Sequence, residues 1–499
     1  MSFKKALLDN LAYTDNGALS LSTTNSARVN LFFKLTSNAY NNESFTNLID
    51  ESLKEDTLDT LKIIFHGRDS RGGKGDRHSF IEAMKYIFTV NPDIFYKNIE
   101  HVPFYGRYQD WFEILYVLRY AVHYNTLRDK IVELVCEKLE EDKLNMINGE
   151  SVSLLAKWIP SEQKKWNKNT NIYDYICNKL YKTDYPTSYH YRLLRKNYIS
   201  PLRSYINIVE TYMCHNKWDD IDFSKVPSVA MHNLKKAFVR HTPDKFVNWL
   251  SDVKKGESKI NTSQLYPHTI VHEIFKNHEN SEILEVQWND IVKNTQKLGK
   301  FSKSLVLCDV SGSMEGTPMD VCIALGLLIS SITDEPFRNL IITFSAEPTF
   351  FNVPDVPLYD KIQHIRNMPW GMNTDLNKVF DLILSRAQKY NILKEDMPET
   401  LYIFSDMQFD IATNSNCSTA MENIEIKYRE AGYLVPKIVF WNLASIGSEF
   451  PVEFNTLNVA LVSGFSQSIL KNILECKDMT PYNIMRQTID NPRYDIITI

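Results

Sequence analysis

The segment Ser304-Leu-Val-Leu-Cys-Asp309-Val-Ser311-Gly-Ser313-Met314 decides the fold of the C-terminal part of this chain. Its apolar beginning has the length and character of a buried strand, and the turn that follows has the pattern Asp-x-Ser-x-Ser. An apolar helical pattern begins near Met319. One turn at the carboxyl end of a strand therefore carries three short side chains with oxygen atoms, those of Asp309, Ser311 and Ser313. Hard divalent cations such as Mg²⁺ prefer oxygen ligands of this kind.

Two later segments place polar residues at comparable positions. Trp370-Gly-Met-Asn-Thr374-Asp375-Leu376 opens a helical pattern, and Thr400-Leu-Tyr-Ile-Phe-Ser405-Asp406 is another apolar strand that ends in a carboxylate. Ligand groups of an open α/β sheet gather outside the carboxyl ends of its strands. We therefore expect a site for Mg²⁺ or Mn²⁺ built from Asp309, Ser311, Ser313, Thr374 and Asp406. The alternative is that Asp309 and Ser311 only cap the next helix, which leaves Thr374 and Asp406 without a role.

The C-terminal part alternates strands with helices. Strands are predicted at 304–310, 339–345, 400–406, 437–443 and 458–463, and helices at 319–333, 375–390, 418–432 and 466–476. This alternation favours a doubly wound, Rossmann-like α/β domain with a mostly parallel sheet. A short antiparallel edge strand is expected at 350–353.

The N-terminal part is predicted to be all-α. Residues 1–295 contain successive amphipathic patterns of ten to twenty residues, joined by short polar stretches. Such a series favours a solenoid or ring of stacked helical pairs, although no regular period is visible. Charged and polar residues at 253–300 indicate a transition. We therefore predict two domains, a helical one over 1–298 and an α/β one over 299–499.

Composition limits the class of protein. With 43% hydrophobic and 23% charged residues in 499, the chain is typical of a soluble globular protein of two or three domains. Residues 301–499 carry 24 acidic and 15 basic side chains, and residues 1–300 carry 37 acidic and 41 basic ones, so the two parts are expected to have different partners. Seven cysteines without a CxxC pair indicate a reducing compartment, hence the cytoplasm, or a host cytoplasm or virion if the protein is viral. No secretory pattern and no apolar run of ~20 residues is present, so we expect no membrane contact.

A basic and aromatic segment at 157–205 is a candidate RNA-binding region. It contains ten basic and three acidic residues, with tyrosines and tryptophans interleaved. Cations can neutralise phosphates while aromatic rings stack on exposed bases, which suits single-stranded RNA. The candidate residues are Lys164, Lys165, Lys168, Arg192, Arg195, Lys196 and Arg203. The alternative is a solvated basic face on helices whose tyrosines are half-buried.

A glycine-rich loop at 67–77 invites a comparison with phosphate-binding loops. Its basic residues are Arg68, Arg71, Lys74 and Arg77. The pattern fails, because Gly73 stands where a phosphate loop has lysine and no Ser or Thr follows Lys74. A tight loop between two helices, with its arginines in a surface network, is the favoured interpretation.

The three C-terminal motifs together resemble the metal-ion-dependent adhesion site of von Willebrand factor A domains. Asp309-x-Ser311-x-Ser313, the distant Thr374 and the later Asp406 match its five positions, and the resemblance covers residues 300–475. It implies direct metal coordination by Ser311, Ser313 and often Thr374. Asp309 and Asp406 would act directly or through water, and a partner protein would supply an acidic ligand.

The whole chain resembles the TROVE and Ro autoantigen group. A helical N-terminal part, the Arg71-Gly-Gly-Lys-Gly75 loop, Tyr191-Arg-Leu-Leu-Arg195 and the A-domain motifs carry this resemblance over residues 25–475. It is strongest to the branch found in plants, fungi and large DNA viruses. The resemblance implies a ring of HEAT-like pairs that binds small or misfolded RNA, and it assigns no individual RNA-contacting residue.

The expected function is non-enzymatic. The chain is predicted to bind RNA through its helical part and to recruit a protein partner through the metal site. A protein-only scaffold is the alternative, and a metal-dependent phosphoesterase is less favoured. A phosphatase of the haloacid dehalogenase type needs a second carboxylate two residues after Asp309, where Ser311 stands, and the elbow Gly-x-Ser-x-Gly of a serine hydrolase is missing.

Overall fold

The structure is a computed structural model. It describes residues 10–36, 43–161, 165–181, 186–278, 281–299, 301–344, 347–366, 375–410, 420–444 and 449–499. Within those ranges, no helix is both long and apolar enough to span a membrane.

Eight strands occur in the described residues. They are β1 (Leu11–Tyr13), β2 (Leu19–Leu21), β3 (Ser304–Cys308), β4 (Leu340–Thr343), β5 (Thr349–Asn352), β6 (Thr400–Ser405), β7 (Lys437–Asn442) and β8 (Val459–Ser463).

The α-helices of the first 300 residues are short, apart from one of 25 residues. They are α1 (Ala27–Lys34), α2 (Glu43–Glu55), α3 (Thr57–Arg68), α4 (Arg77–Val90), α5 (Pro92–Asn98), α6 (Val102–Tyr105), α7 (Tyr108–Val117), α8 (Tyr124–Asn148), α9 (Leu155–Trp158), α10 (Lys165–Thr170), α11 (Ile172–Leu180), α12 (Thr187–Leu194), α13 (Ser200–Ile206), α14 (Val209–Cys214), α15 (Ser228–His241), α16 (Pro243–Lys255), α17 (Pro267–Asn277) and α18 (Glu282–Gln296). Those of the C-terminal part are α19 (Thr317–Ile332), α20 (Leu358–Arg366), α21 (Leu376–Lys389), α22 (Ala420–Glu430), α23 (Ile469–Glu475) and α24 (Pro481–Ile489).

The C-terminal sheet has six strands in the order β5-β4-β3-β6-β7-β8. Only β5 is antiparallel to its neighbour, and the other pairs are parallel. The predicted Rossmann-like alternation of strands and helices is therefore confirmed. All five strands and four helices expected in this part are present within three residues at each end, and the edge strand expected at 350–353 is β5. Helices α20 and α24 were not predicted.

Two parallel strands of this sheet are buried along their whole length. Every residue of β3 and of β8 is buried, as expected for parallel strands that helices cover on both faces. Helix α19 follows β3 and is buried on almost every side. It packs closely on the sheet at Gly326, where an added Cβ would lie 2.5 Å from the Cys308 Sγ.

The N-terminal part is not entirely helical. Strands β1 and β2 form an antiparallel hairpin, with Leu11 paired to Leu21. The prediction missed it because two strands of three residues show almost no alternation. A signal was nevertheless present, since Asn16-Gly17 joins the two apolar runs and Gly17 has a φ of 86°. Asn-Gly between short apolar runs is typical of a hairpin turn.

The chain divides into two compact units that are not continuous in sequence. One comprises Met1–Ser79, Pro227–His232 and Val253–Asp495, and holds both sheets. The other comprises Phe80–Val226, Asn233–Asp252 and Ile496–Ile499, and is helical. The division at residue 298 was drawn from sequence character, and as a domain boundary it stays a prediction.

One helical segment of the second unit contains a π-helical turn. Residues Arg195–Ile199 form this turn between α12 and α13. Pro201 follows the turn by two residues. Because it lacks a backbone N–H, a regular α-helix cannot continue unchanged past it. Arg203 donates from Nε to the carbonyl oxygen of Ala156 at 2.7 Å, and this bond ties the segment to α9.

Candidate metal centre

Two carboxylates meet at the carboxyl ends of adjacent strands. Cys308 of β3 is paired in parallel with Phe404 of β6, so Asp309 lies beside Ser405 and Asp406. The chain leaves β3 toward β4 on one side, while β6 continues toward β7 on the other. Ligands of open α/β sheets bind at such a reversal of strand order.

Hydrogen bonds hold Asp309 and the serine turn in place. The Ser405 hydroxyl donates to Asp309 Oδ2 at 2.6 Å, and the Ser311 backbone N–H donates to Asp309 Oδ1 at 3.0 Å. The Ser311 and Ser313 hydroxyls lie 3.0 Å apart. The structure therefore brings Asp309, Ser311, Ser313 and Asp406 to one end of the sheet.

The two carboxylates are shielded from solvent. Asp309 and Asp406 are completely buried. Burial, followed by the neighbouring charge of Asp406, raises the pKa of Asp309 to about 6. The Gln408 backbone N–H donates to Asp406 Oδ1 at 3.0 Å, but Asp406 Oδ2 has no hydrogen-bond partner among the described residues. Buried charge without a partner is costly.

These side chains fit a hard divalent cation. All the donors are oxygens, and one buried carboxylate oxygen remains unsatisfied, which is the chemistry that Mg²⁺ or Mn²⁺ prefers. No group of three or more His, Cys, Asp or Glu side chains in the described ranges is arranged to hold a metal, so the candidate depends on serine hydroxyls. Thr374 lies outside the described residues. Its neighbour Asp375 caps α21, accepting hydrogen bonds from the backbone N–H groups of Asn377 and Lys378.

Sequence reasoning missed a buried lysine on which the charge of Asp406 acts. Lys34 is the last residue of α1 and is 3% exposed. Burial lowers its pKa to about 8, against the opposing effect of the Glu449 and Asp406 charges. The sequence did contain a signal of this burial, because Lys34 lies between the apolar run Leu31-Phe-Phe and Leu35.

The hairpin β1–β2 holds the loops that follow β6 and β7. The Thr14 hydroxyl donates to the Phe409 carbonyl at 2.6 Å, and the Asp15 backbone N–H donates to Gln408 Oε1 at 2.7 Å. Leu21 forms a β-bridge with Phe450. Residues from the beginning of the chain thus fix the loop that carries Asp406.

Comparisons with known proteins identify the family. A model described as "Domain of unknown function (DUF2828)" matches residues 14–119 and 110–301, more than half of the chain. The chain belongs to the DUF2828 family. A second model, "Domain of unknown function (DUF7788)", matches residues 303–492. "Uncharacterized protein L728" of Acanthamoeba polyphaga mimivirus is 31% identical over 508 residues, covering 96% of this chain and 87% of the relative.

One solved structure is similar over most of its length. The crystal structure of the Deinococcus radiodurans RO (RSR) protein aligns with 89% of this chain and 90% of that chain, at 12% identity and a TM-score of 0.30. A likeness at this level carries no argument about fold or function.

The glycine-rich loop of this DUF2828 chain is a buried connection between α3 and α4. Arg68 is buried, which corrects the expectation of a surface network for that arginine, whereas Arg71 is exposed and Arg77 half-buried. Lys74 is buried as well. The Lys74 ammonium donates to the carbonyl oxygens of Phe32 and Leu35 and, at 2.6 Å, to the Ser463 hydroxyl. It therefore joins the end of α1 to the end of β8.

A glycine with positive φ and a buried ion pair shape this loop. Gly75 has a φ of 71°, and an added Cβ would lie 1.7 Å from the Tyr266 hydroxyl. Arg493 forms a two-pronged ion pair with the fully buried Asp69.

The contact between Lys74 and Ser463 is structural. A lysine beside a serine hydroxyl also occurs in the active sites of some hydrolases, but Ser463 is completely buried.

The predicted RNA-binding residues of the DUF2828 region differ in their surroundings. Arg192, Arg195, Lys196 and Lys168 are exposed, while Arg203 is occupied with the Ala156 and Ile159 carbonyls. Lys164 lies outside the described residues, and only the backbone of Lys165 is described.

The aromatic rings of this segment are largely used within the fold. Tyr173 and Tyr198 are 4% and 5% exposed, and Tyr181 stacks on His190 with 6.0 Å between ring centroids. The hydroxyl of Tyr198 donates to Glu140. Of the eight interleaved aromatic residues with described side chains, Tyr173 and Tyr198 are buried, Tyr205 is exposed and the other five are half-buried, so most of them are used at least partly for packing.

Replacing Asp309 with Asn should change the pH dependence of stability in metal-free buffer. Because the pKa of Asp309 is raised from 3.8 to about 6, the folded protein binds more protons than the unfolded chain between these values. Wild-type stability should therefore fall relative to Asp309→Asn as pH rises from about 4 to about 6, by roughly 3 kcal/mol in all. Urea unfolding with a chelator present measures it. The exposed Asp360→Asn serves as control, and a difference that does not vary with pH would contradict the assignment.

Replacing Lys74 with Met should destabilise the protein by roughly 2–5 kcal/mol, because buried acceptors lose their donor. Burial lowers the pKa of Lys74 from 10.5 to about 7, so the unfolded chain binds more protons between these values. The wild-type advantage should therefore grow as pH rises from 7 toward 10, by at most about 1.4 kcal/mol per unit. Urea unfolding at pH 7 and 9 tests this. The exposed Lys471→Met should show neither effect.

Proposed function

We propose that this protein is a non-enzymatic binding protein with a divalent metal site in its α/β unit and an RNA-binding face in its helical unit. The observation that carries the proposal is the pair of buried strand-end carboxylates, Asp309 and Asp406, with one oxygen unsatisfied among the described residues. We expect the site to bind rather than to transform, because Ser405, whose hydroxyl donates to Asp309, is completely buried and out of reach of a substrate.

The metal site is proposed to be the adhesion site of a von Willebrand factor A domain. Ser311 and Ser313 would hold Mg²⁺ or Mn²⁺ together with Thr374, and Asp309 and Asp406 would act directly or through water. When bound, the cation supplies a Lewis-acidic position for an acidic side chain of a partner protein. The Ser405 hydroxyl and the Ser311 backbone N–H keep Asp309 oriented for this.

RNA binding is proposed for one face of the segment formed by α12 and the π-helical turn. Arg192, Arg195 and Lys196 are spaced i, i+3 and i+4, so they lie on the same side of a helical segment, and all three are exposed. Lys168 adds a further exposed charge. The HEAT-like pairing of the helices, the closure into a ring and the binding of small or misfolded RNA belong to this proposal, as does a cytoplasmic location.

A protein-only scaffold is the second candidate. Leu144 and Ile147 are 58% and 70% exposed near the end of α8, and they lie one helical turn apart. Tyr205 of α13 is 40% exposed, and its hydroxyl donates to the Glu150 carbonyl at 2.8 Å. Apolar exposure of this kind suits a protein partner better than a phosphate backbone.

The double variant Asp309→Ala and Ser311→Ala should lose Mg²⁺ and Mn²⁺ binding, because it removes one carboxylate and one hydroxyl from the site. Isothermal titration calorimetry measures the loss, and circular dichroism should show unchanged helical content. The control is Ser331→Ala with Asp360→Asn, which removes a hydroxyl and a carboxylate elsewhere in the same unit. Equal metal affinity in the two double variants would remove the metal site.

The triple variant Arg192→Gln, Arg195→Gln and Lys196→Gln should weaken binding of single-stranded RNA. If all three contact phosphates, the slope of log K against log salt should become about 2 units less steep. Electrophoretic shifts at several salt concentrations give both quantities. A variant with Gln at the exposed Lys217, Lys225 and Arg240 has the same net charge, and equal behaviour of the two variants would contradict a specific face. No shift of the wild-type protein at low salt would favour the scaffold.

A further inference from the structure

The segment 496–499, called the tail below, is held by the helical unit without secondary structure of its own. It belongs to the compact unit formed by Phe80–Val226 and Asn233–Asp252, and residues 497–499 form no helix, strand or turn. Ile497 is 3% exposed, whereas Thr498 and Ile499 are exposed. Specific contacts, rather than a regular element, therefore fix the tail.

Asn98, the last residue of α5, binds the tail through its backbone. The Asn98 amide donates from Nδ2 to the Thr498 carbonyl oxygen at 2.7 Å, and the Thr498 backbone N–H donates to Asn98 Oδ1 at 3.0 Å. Asn98 is completely buried, and a bond from its Nδ2 to the Ile94 carbonyl oxygen at 2.9 Å fixes the orientation of its amide. A side-chain amide offers one acceptor and two donors, so it can satisfy both backbone groups of a peptide residue whatever that residue's side chain is.

The neighbouring contact also reaches the backbone of the tail. Lys97 Nζ donates to the Ile499 backbone oxygen at 2.9 Å. Asn98 and Lys97 therefore recognise the course of a peptide chain, while the burial of Ile497 adds a requirement for one apolar side chain.

A cavity of about 460 Å³ adjoins Thr498 and Ile499. Its other lining residues are Tyr96, Lys97, Glu100, His101 and Lys130. The Tyr96 hydroxyl is buried and has no hydrogen-bond partner among the described residues. A segment longer than 497–499 has room in this cavity, where the Tyr96 hydroxyl and the two lysines can donate to its carbonyl or carboxylate oxygens.

We propose that the helical unit contains a binding site for an extended peptide, and that the tail is its resident occupant. The partner is a protein segment with a β-branched apolar residue in the place of Ile497, a following residue whose backbone meets Asn98, and further residues that enter the cavity. Because the tail is tethered, its effective concentration is on the order of millimolar, so it excludes a free segment of weak affinity. This inference depends neither on the metal site nor on RNA binding.

The test uses a chain shortened to end at Asp495 and a fluorescein-labelled peptide of residues 495–499, Asp-Ile-Ile-Thr-Ile. Fluorescence polarisation should give a Kd on the order of 10⁻⁴ M for the shortened chain, because the contact is small. Binding by the full chain should be at least tenfold weaker, since its site is occupied. The matched control peptide carries an N-methyl group on the Thr nitrogen, and it should also bind at least tenfold more weakly because it cannot donate to Asn98 Oδ1.

Two variants of the shortened chain locate the binding. Asn98→Ala should abolish it, and Asn125→Ala, which changes an exposed asparagine of the same unit, should leave it unchanged. Loss in Asn98→Ala alone supports the inference. A shortened chain that is folded by circular dichroism but binds neither peptide, or binds both equally, overturns it.

If the shortened chain fails to fold, hydrogen exchange in the full chain decides. The Thr498 amide should be protected, and several millimolar of the peptide should displace the tail and make this amide exchange at least twofold faster. The N-methylated peptide should have no such effect. Exchange at Thr498 that does not respond to either peptide overturns the inference.

Discussion

Parallel pairing of β3 with β6 forces two carboxylates into one buried region. The register that pairs Cys308 with Phe404 sets Asp309 beside Asp406, and both are excluded from solvent. Such an arrangement costs free energy, and a sequence that only needed a stable sheet would place neutral residues there. The Ser405 hydroxyl and two backbone N–H groups reduce this cost, and one oxygen of Asp406 remains without a partner among the described residues. The divalent cation proposed above would complete such a pair.

The N-terminal residues are a structural part of the unit that holds the sheet. Thr14 and Asp15 form hydrogen bonds with the loop after β6, and the Lys74 ammonium links the end of α1 to Ser463 of β8. These contacts connect positions nearly 400 residues apart in the chain, so forming them costs more loop-closure entropy than forming local contacts. The proposed metal site would therefore depend on residues that a division of the chain at 298 would remove.

How much of the structure the sequence could predict depends on how far apart in the chain the interacting residues lie. The strands around Asp309 and Asp406 were predictable because an apolar run followed by a polar turn is a local pattern, and parallel strands bring their carboxyl ends together. Lys34 and Lys74 could not be placed in the same way. Each is a single lysine near apolar residues, and only the folded chain shows that its ammonium is enclosed by segments hundreds of residues away. Tyr198 shows the same limit, since nothing in the basic segment indicates that its ring is buried.

The burial of those tyrosines changes what kind of RNA binding the helical unit could perform. Tyr198 is anchored to Glu140 and Arg203 to α9, so the side of the segment that faces α8 and α9 is used for packing. Arg192, Arg195 and Lys196 lie on the exposed side, with Tyr189 beneath the Arg192 guanidinium at 5.0 Å. A surface of cations with few free rings contacts phosphates, which position a nucleic acid without reading its sequence. If this unit binds RNA, the interaction should therefore depend on backbone charge and shape, and sequence selectivity would have to come from elsewhere in the molecule.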